Sequence, residues 1–148
     1  MNQQTTSPAD VGSAPRILAM MAAALEVTAG CALIASPGLV VHLLIGAGLS
    51  RGGVAVGRVG GFGLLSLGLA CWPTGGVVSV RATSALFTYN LLSALYVAYL
   101  SVVGGFVGYL LWPACALHAL LALLLAHPAY MAVRREWLGV QFPKISGR

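Results

Sequence analysis

Hydrophobic residues in this chain are gathered into long runs, and polar residues, glycines and prolines separate one run from the next. The first run covers residues 17–36 and contains a single charged residue, Glu26. Further runs cover residues 54–72, 85–103 and 107–133. A helix needs about 20 apolar residues to cross the hydrocarbon core of a bilayer. The pattern therefore predicts four membrane-spanning helices.

A shorter apolar segment lies between the first two long runs. Ser36, Pro37 and Gly38 interrupt the first run, because proline removes a backbone donor and glycine permits a turn. Residues 38–50 then form a segment too short to span the membrane, which we expect either to lie at the interface or to dip into the bilayer. The predicted fold is all-α: a four-transmembrane-helix bundle with a short interfacial segment between helices 1 and 2.

The two ends of the chain are more polar than its middle. Residues 1–16 are rich in Ser, Thr, Gln and Pro, which is typical of a disordered tail. Residues 134–148 form a second short polar tail. The expected organisation is a tail at 1–16, a membrane domain at 17–133 and a tail at 134–148.

Composition agrees with a membrane environment. The chain is 59% hydrophobic and only 7% charged, whereas a soluble domain carries roughly 25% charged residues. The net charge of +5 would be compatible with nucleic-acid binding, but the basic residues stand singly or in pairs at the ends of apolar runs rather than in one patch. We therefore expect the lipid bilayer, and no nucleic acid, as a partner.

The basic residues also predict the orientation of the bundle. Four spans place both chain ends on one side of the membrane. That side collects Arg16, Arg81, Arg134, Arg135, Lys144 and Arg148, whereas the other has Arg51, with Arg58 just inside the second span. Because positive residues accumulate on the cytoplasmic side, both termini are predicted to be cytoplasmic.

Each predicted span carries one strongly polar side chain: Glu26, Arg58, Asn90 and His118. With a rise of 1.5 Å per residue, Glu26 lies about 13 Å from one end of its span. His118 lies about 16 Å from the other membrane face, which is nearly the same depth. We therefore predict a buried polar centre of Glu26, Arg58 and His118, with Asn90 and the hydroxyls of Tyr89 and Tyr96 beneath it.

A Glu26–Arg58 ion pair has two interpretations. Unpaired, each group would cost roughly 3 kcal/mol or more at the bilayer centre, so pairing would fix the register and insertion of the helices. The alternative is a site for a proton, an amphiphile or a small polar ligand. The first interpretation is favoured from the sequence, and the second remains open.

Small residues in the second span predict close helix packing. Gly57 and Gly61 form a GxxxG pair, and Gly68 lies two turns beyond Gly61. Such residues allow membrane helices to approach closely. Packing within the chain is favoured over a homodimer face.

Several kinds of chemistry find no support in the sequence. There is no GxxxxGK[ST] loop, no HExxH and no GxSxG motif, and Cys31, Cys71 and Cys115 form no CxxC pair. No catalytic residue, metal site or cofactor is predicted.

The favoured function is a non-enzymatic accessory or interaction subunit that assembles with itself or with another membrane protein. The alternative is a small transporter or a ligand- or proton-binding bundle that uses Glu26, Arg58 and His118.

Several short motifs resemble those of a group of small uncharacterised bacterial membrane proteins. They are Glu26, Pro37-Gly38, Arg58-Val59-Gly60-Gly61, the run from Leu64 to Trp72, Tyr89-Asn90-Leu91-Leu92, and Leu111-Trp112-Pro113-Ala114 with His118. The overall architecture is similar to that of DoxX-like four-helix proteins. The resemblance covers most of residues 17–126 and implies a bacterial inner-membrane location. It implies no activity.

Overall fold

The computed structural model describes residues 10–73 and 78–141, and within these ranges it is helical without any strand. The five helices are α1 (Asp10–Ala35), α2 (Pro37–Ile45), α3 (Arg51–Ala70), α4 (Val80–Val102) and α5 (Leu111–Gln141). The all-α prediction is therefore confirmed. Most of the tail expected at residues 1–16 and the end of the tail expected at 134–148 lie outside the described residues.

Four of the helices are long and apolar enough to cross a membrane. The candidate spans are Ala14–Ala35, Arg51–Ala70, Val80–Val102 and Leu111–Met131. They identify the chain as a multi-pass membrane protein, as its composition predicted.

The helix boundaries differ from the predicted ones at several points. Helix α3 begins at Arg51 rather than at residue 54, and α5 continues to Gln141, into the segment expected to be a tail. Helix α1 begins at Asp10, inside the segment expected to be a tail. Helix α4 begins at Val80 rather than at residue 85, because the Ser79 side chain caps it by accepting a hydrogen bond from the Ala82 amide at 3.0 Å. Helix α5 begins at Leu111 rather than at residue 107, because the preceding turn includes Gly105 with a φ of 66°.

The segment between the first two spans is a nine-residue helix, α2. Pro37 lies in its first turn, and Gly46 ends it with a φ of 73°. Nine residues rise about 14 Å, too little to cross a membrane. Helix α2 packs against the connection between α4 and α5, where the Leu110 amide donates to the Leu43 carbonyl at 2.9 Å. We call this end of the bundle the α2 end, and the opposite end, where α1 begins, the start end.

The spanning helices pack as two pairs. Helix α1 lies along α3, α4 lies along α5, and α1 also contacts both α4 and α5. The pairs meet in an apolar cluster towards the start end. This apolar layer consists of Ala19, Ala22, Cys71, Leu86, Leu121 and Leu125.

Candidate functional site

Two buried polar residues, Glu26 and Asn90, and the half-buried His118 lie one helical turn from the apolar layer. Glu26 follows Ala22 on α1, Asn90 follows Leu86 on α4, and His118 precedes Leu121 on α5. Helices α1 and α4 run towards the α2 end, and α5 runs away from it. All three residues therefore lie on the same side of the apolar layer, the side nearer the α2 end. We call Glu26, Asn90 and His118 the polar layer.

The side chains of Asn90 and His118 connect α4 with α5. The Asn90 amide nitrogen donates to the Leu86 carbonyl at 2.9 Å, and its Oδ1 lies 2.8 Å from Nδ1 of His118. Because Oδ1 is an acceptor, the network assigns the donated hydrogen to Nδ1, and Nε2 of the neutral ring is then an acceptor. The Tyr89 ring packs edge-on against the imidazole, with 6.0 Å between the ring centroids.

The carboxyl group of Glu26 is the most unusual feature of the polar layer. Glu26 is only 1% exposed. Within the described residues neither Oε1 nor Oε2 has a hydrogen-bond partner. A buried acceptor without a donor carries a desolvation cost that no contact in this part of the chain offsets.

The predicted pair between Glu26 and Arg58 is not formed, because Arg58 is exposed and does not hydrogen-bond to the carboxyl group. The reason is the register of α1 on α3. Glu26 lies between two contacts, that of Gly30 with Leu65 and that of Ala23 with Gly68. Arg58 precedes this level of α3 by about two turns, or roughly 10 Å. The prediction that Arg58 belongs to the centre is therefore wrong.

Tyr96 also lies outside the centre, contrary to prediction. It is 62% exposed and stacks on Tyr99, with 6.4 Å between the ring centroids. The buried stripe of α4 passes through Asn90, Ala94 and Val97, so Tyr96 is turned about 100° from it. Tyr89, by contrast, is half-buried and contacts the polar layer. Asn90 was expected beneath the centre but lies in the same layer as His118.

The three predicted packing glycines lie at contacts within the chain. A Cβ atom on Gly61 would lie 2.8 Å from the Gly30 carbonyl oxygen, and one on Gly68 would lie 2.6 Å from that of Ala23. A Cβ atom on Gly57 would lie 2.9 Å from Cβ of Pro37. Sequence reasoning missed Gly30, whose signal was its place on the same face of α1 as Ala23, two turns away.

A groove of about 450 Å³ opens between α1, α3 and α4, next to the polar layer. It is lined by Leu33, Gly60, Gly63, Leu64, Leu67 and Tyr89. Tyr89 belongs both to this groove and to the surroundings of His118. A second groove, of about 510 Å³ between α4 and α5, is lined almost wholly by apolar side chains and contains none of the polar layer.

Among known proteins, no family model, no curated protein and no solved structure matches this chain. The polar layer is therefore interpreted from its own chemistry. Within the described ranges, no three His, Cys, Asp or Glu side chains form a group that could hold a metal ion. What the layer offers is a buried carboxyl group without a donor and, at the same level of the bundle, an imidazole oriented by Asn90; both can accept hydrogen bonds.

Proposed function

We propose that this protein is a small membrane-embedded binding protein whose ligand is held by Glu26, with His118 and Tyr89 beside it. The observation that carries the proposal is the fully buried Glu26 carboxyl group, which has no hydrogen-bond donor among the described residues. Ionisable residues inside membrane spans are rare, and they commonly mark substrate or ion sites.

The interpretation of Glu26 as a purely structural residue loses its main support because Arg58 is exposed. That interpretation required an ion pair to offset the cost of burying the carboxyl group, and no such pair exists. An unsatisfied buried polar group costs about 1–3 kcal/mol, and more when it is charged. A ligand that donates to Glu26 would remove this cost in the bound state, which explains why a carboxyl group occupies this position.

The stability of Glu26→Met tests the proposal directly. Methionine is similar in length and has no carboxyl group, so it should stabilise the protein by about 1–3 kcal/mol if Glu26 contributes nothing to folding. The measurement is the unfolding transition of purified protein in detergent, followed by circular dichroism. A loss of stability in Glu26→Met would instead assign Glu26 a structural role and contradict the proposal.

Ligand retention is the second measurement. Mass spectrometry of the intact protein released from membrane nanodiscs should show a bound small molecule on the wild type. Glu26→Gln, which retains the shape but not the charge, should lack it. Arg58→Gln is the matched control, because Arg58 is exposed and away from the polar layer. Equal retention by all three proteins would refute a role for Glu26 in binding.

We propose a bacterial inner-membrane location with cytoplasmic termini for this binding protein. The support is the resemblance of its motifs and the unequal distribution of arginine and lysine between the two ends of the bundle.

A second candidate function, the accessory or interaction subunit favoured from the sequence, has its own support in α3. Only 11% of the α3 span is buried, against 22–28% of the other three spans. A Cβ atom on Gly60 or Gly63 would meet nothing within 4 Å, so a partner helix could approach this face closely. Oxidative cross-linking of Gly60→Cys in membranes tests it, since a second copy on this face would give a covalent dimer.

A further inference from the structure

We propose that the groove between α1, α3 and α4 is a lateral entrance from the lipid phase, and that its occupant is a single-chain amphiphile with a primary-amine head. This inference rests on the proposed function and adds a route and a ligand class to it. The apolar chain would lie along Gly60 and Gly63, and the amine would reach the polar layer beside Tyr89.

The volume and apolar lining of the groove suit one hydrocarbon chain. Its floor is formed by Gly60 and Gly63, beside which a Cβ atom would meet no other atom within 4 Å. Its other apolar walls are Leu33, Leu64 and Leu67. The volume of about 450 Å³ is within the range of small-molecule pockets, roughly 300–1,000 Å³. Because the groove opens on the flank of spanning helices, its surroundings in the membrane are acyl chains.

Two residues of the groove wall link it to the two layers of the bundle interior. Tyr89 lines the groove and also packs edge-on against His118. Leu67 lines the groove and also packs against the apolar layer, one turn from Glu26. Tyr89 and Leu67 therefore stand between the groove and the buried residues next to it.

The charges around the polar layer favour an amine head. Glu26 is the only acidic residue in the four candidate spans, and no cation lies beside it among the described residues. A primary ammonium group carries three N–H donors. The Glu26 carboxylate can accept from them, and Nε2 of His118 is a further acceptor in the same layer. A carboxylate or phosphate head would instead place a like charge beside Glu26.

The test uses photoreactive probes and the full chain in nanodiscs of zwitterionic phosphatidylcholine. The probe is a diazirine derivative of oleylamine, and the matched probe is the same derivative of oleic acid. Cross-linked peptides are located by mass spectrometry. We expect the amine probe, but not the acid probe, to label residues 60–67 or the peptide that contains Tyr89.

Two substitutions complete the test. Gly63→Leu places an apolar side chain in the groove, where a Cβ atom would meet nothing within 4 Å. Gly38→Leu is its matched control, since a Cβ atom on Gly38 also meets nothing within 4 Å but lies on α2. We expect Gly63→Leu to abolish labelling and Gly38→Leu to leave it unchanged. Glu26→Gln should reduce labelling about tenfold or more, which corresponds to the loss of one charge-assisted contact.

The possible outcomes separate this inference from the proposed function. Equal labelling by both probes would overturn the proposed amine head. Labelling only between α4 and α5 would overturn the proposed groove. If Glu26→Gln removes the retained small molecule while Gly63→Leu does not affect labelling, the entrance is wrong and the function stands. If a second copy of the chain covers Gly60 and excludes the probe, the groove is a dimer face and the inference fails.

Discussion

Asn90 and His118 illustrate how a pair of side chains can set the chemistry of a neighbouring one. Asn90 is fully buried, and it uses its amide nitrogen on its own helix, so its oxygen faces the imidazole of α5. The bond fixes the rotation of the ring and leaves Nε2 as the acceptor. Glu26 has no such orienting bond within the described ranges, so both of its carboxyl oxygens keep their full capacity to accept hydrogen bonds.

The coupling between Asn90 and His118 is measurable by a double-mutant cycle. Side-chain hydrogen bonds between membrane helices are worth about 0.6 kcal/mol on average and up to about 1.7 kcal/mol. We expect Asn90→Ala and His118→Ala to destabilise the protein individually, and to show a coupling energy within that range. Unfolding in detergent gives the four values, and a coupling energy of zero would mean that the 2.8 Å contact contributes nothing.

Arg58 is predicted to be unimportant for the fold. It is exposed and separated from Glu26 along α3, so Arg58→Gln breaks no interaction with the buried carboxyl group. The melting temperature should remain that of the wild type. A marked decrease, and its reversal in Arg58→Lys, would show that a positive charge is needed here and would restore the rejected ion pair.

Between elements, the contact of α1 with α3 depends on glycines that bring two backbones together. Gly30 and Gly61 face each other so closely that a Cβ atom on either would lie 2.8 Å or less from the backbone of the other helix. Without a hydrophobic driving force in lipid, such close packing is a main source of helix association. This contact also sets the level of Glu26 relative to α3.

Neighbouring glycines of α3 provide a matched test of this contact. Gly61→Ala places a methyl group against the Gly30 carbonyl and should destabilise the protein by about 1–3 kcal/mol. Gly60→Ala enters open space and should be neutral or stabilise the helix by up to about 1 kcal/mol. Melting temperatures in detergent provide the comparison, and equal values for the two variants would disprove the predicted packing.

Helix α2 is held at its end of the bundle by backbone contacts. Gly108 lies against the backbone of Leu44 and Ile45, so a methyl group there has no room. Gly108→Ala should separate α2 from the connection between α4 and α5, and amide hydrogen exchange in α2 should become faster. Gly48→Ala, in open space, is the control. Unchanged exchange in Gly108→Ala would show that α2 is held by other contacts.

At the scale of the whole molecule, two helix pairs meet over a small apolar layer and leave α3 largely uncovered. Lipid can solvate such an apolar surface, so a bundle of this size can be stable with few fully buried residues. The groove between α1, α3 and α4 and the groove between α4 and α5 both open on the flank of the bundle.

The orientation of the bundle can be measured with introduced cysteines. Gly48 is exposed at the α2 end, and Arg81 is exposed at the opposite end. A membrane-impermeant maleimide added to intact cells should label Gly48→Cys but not Arg81→Cys, and inside-out vesicles should give the reverse. The wild type, whose cysteines lie within or next to the spans, is the control. The opposite pattern would refute cytoplasmic termini.

The sequence by itself determined the class of this protein, because long apolar runs have one stable form in lipid, the hydrogen-bonded helix. It located four spans, the short helix between the first two, and the polar residues Glu26, Asn90 and His118. It did not determine which of these side chains contact each other, because the depth of a residue along a span does not specify the helix that it faces. The register of α1 on α3, set by Gly30, Gly61 and Gly68, moved Arg58 away from Glu26. Only the tertiary structure decided that, and it left the buried carboxyl group without a hydrogen-bond partner among the described residues.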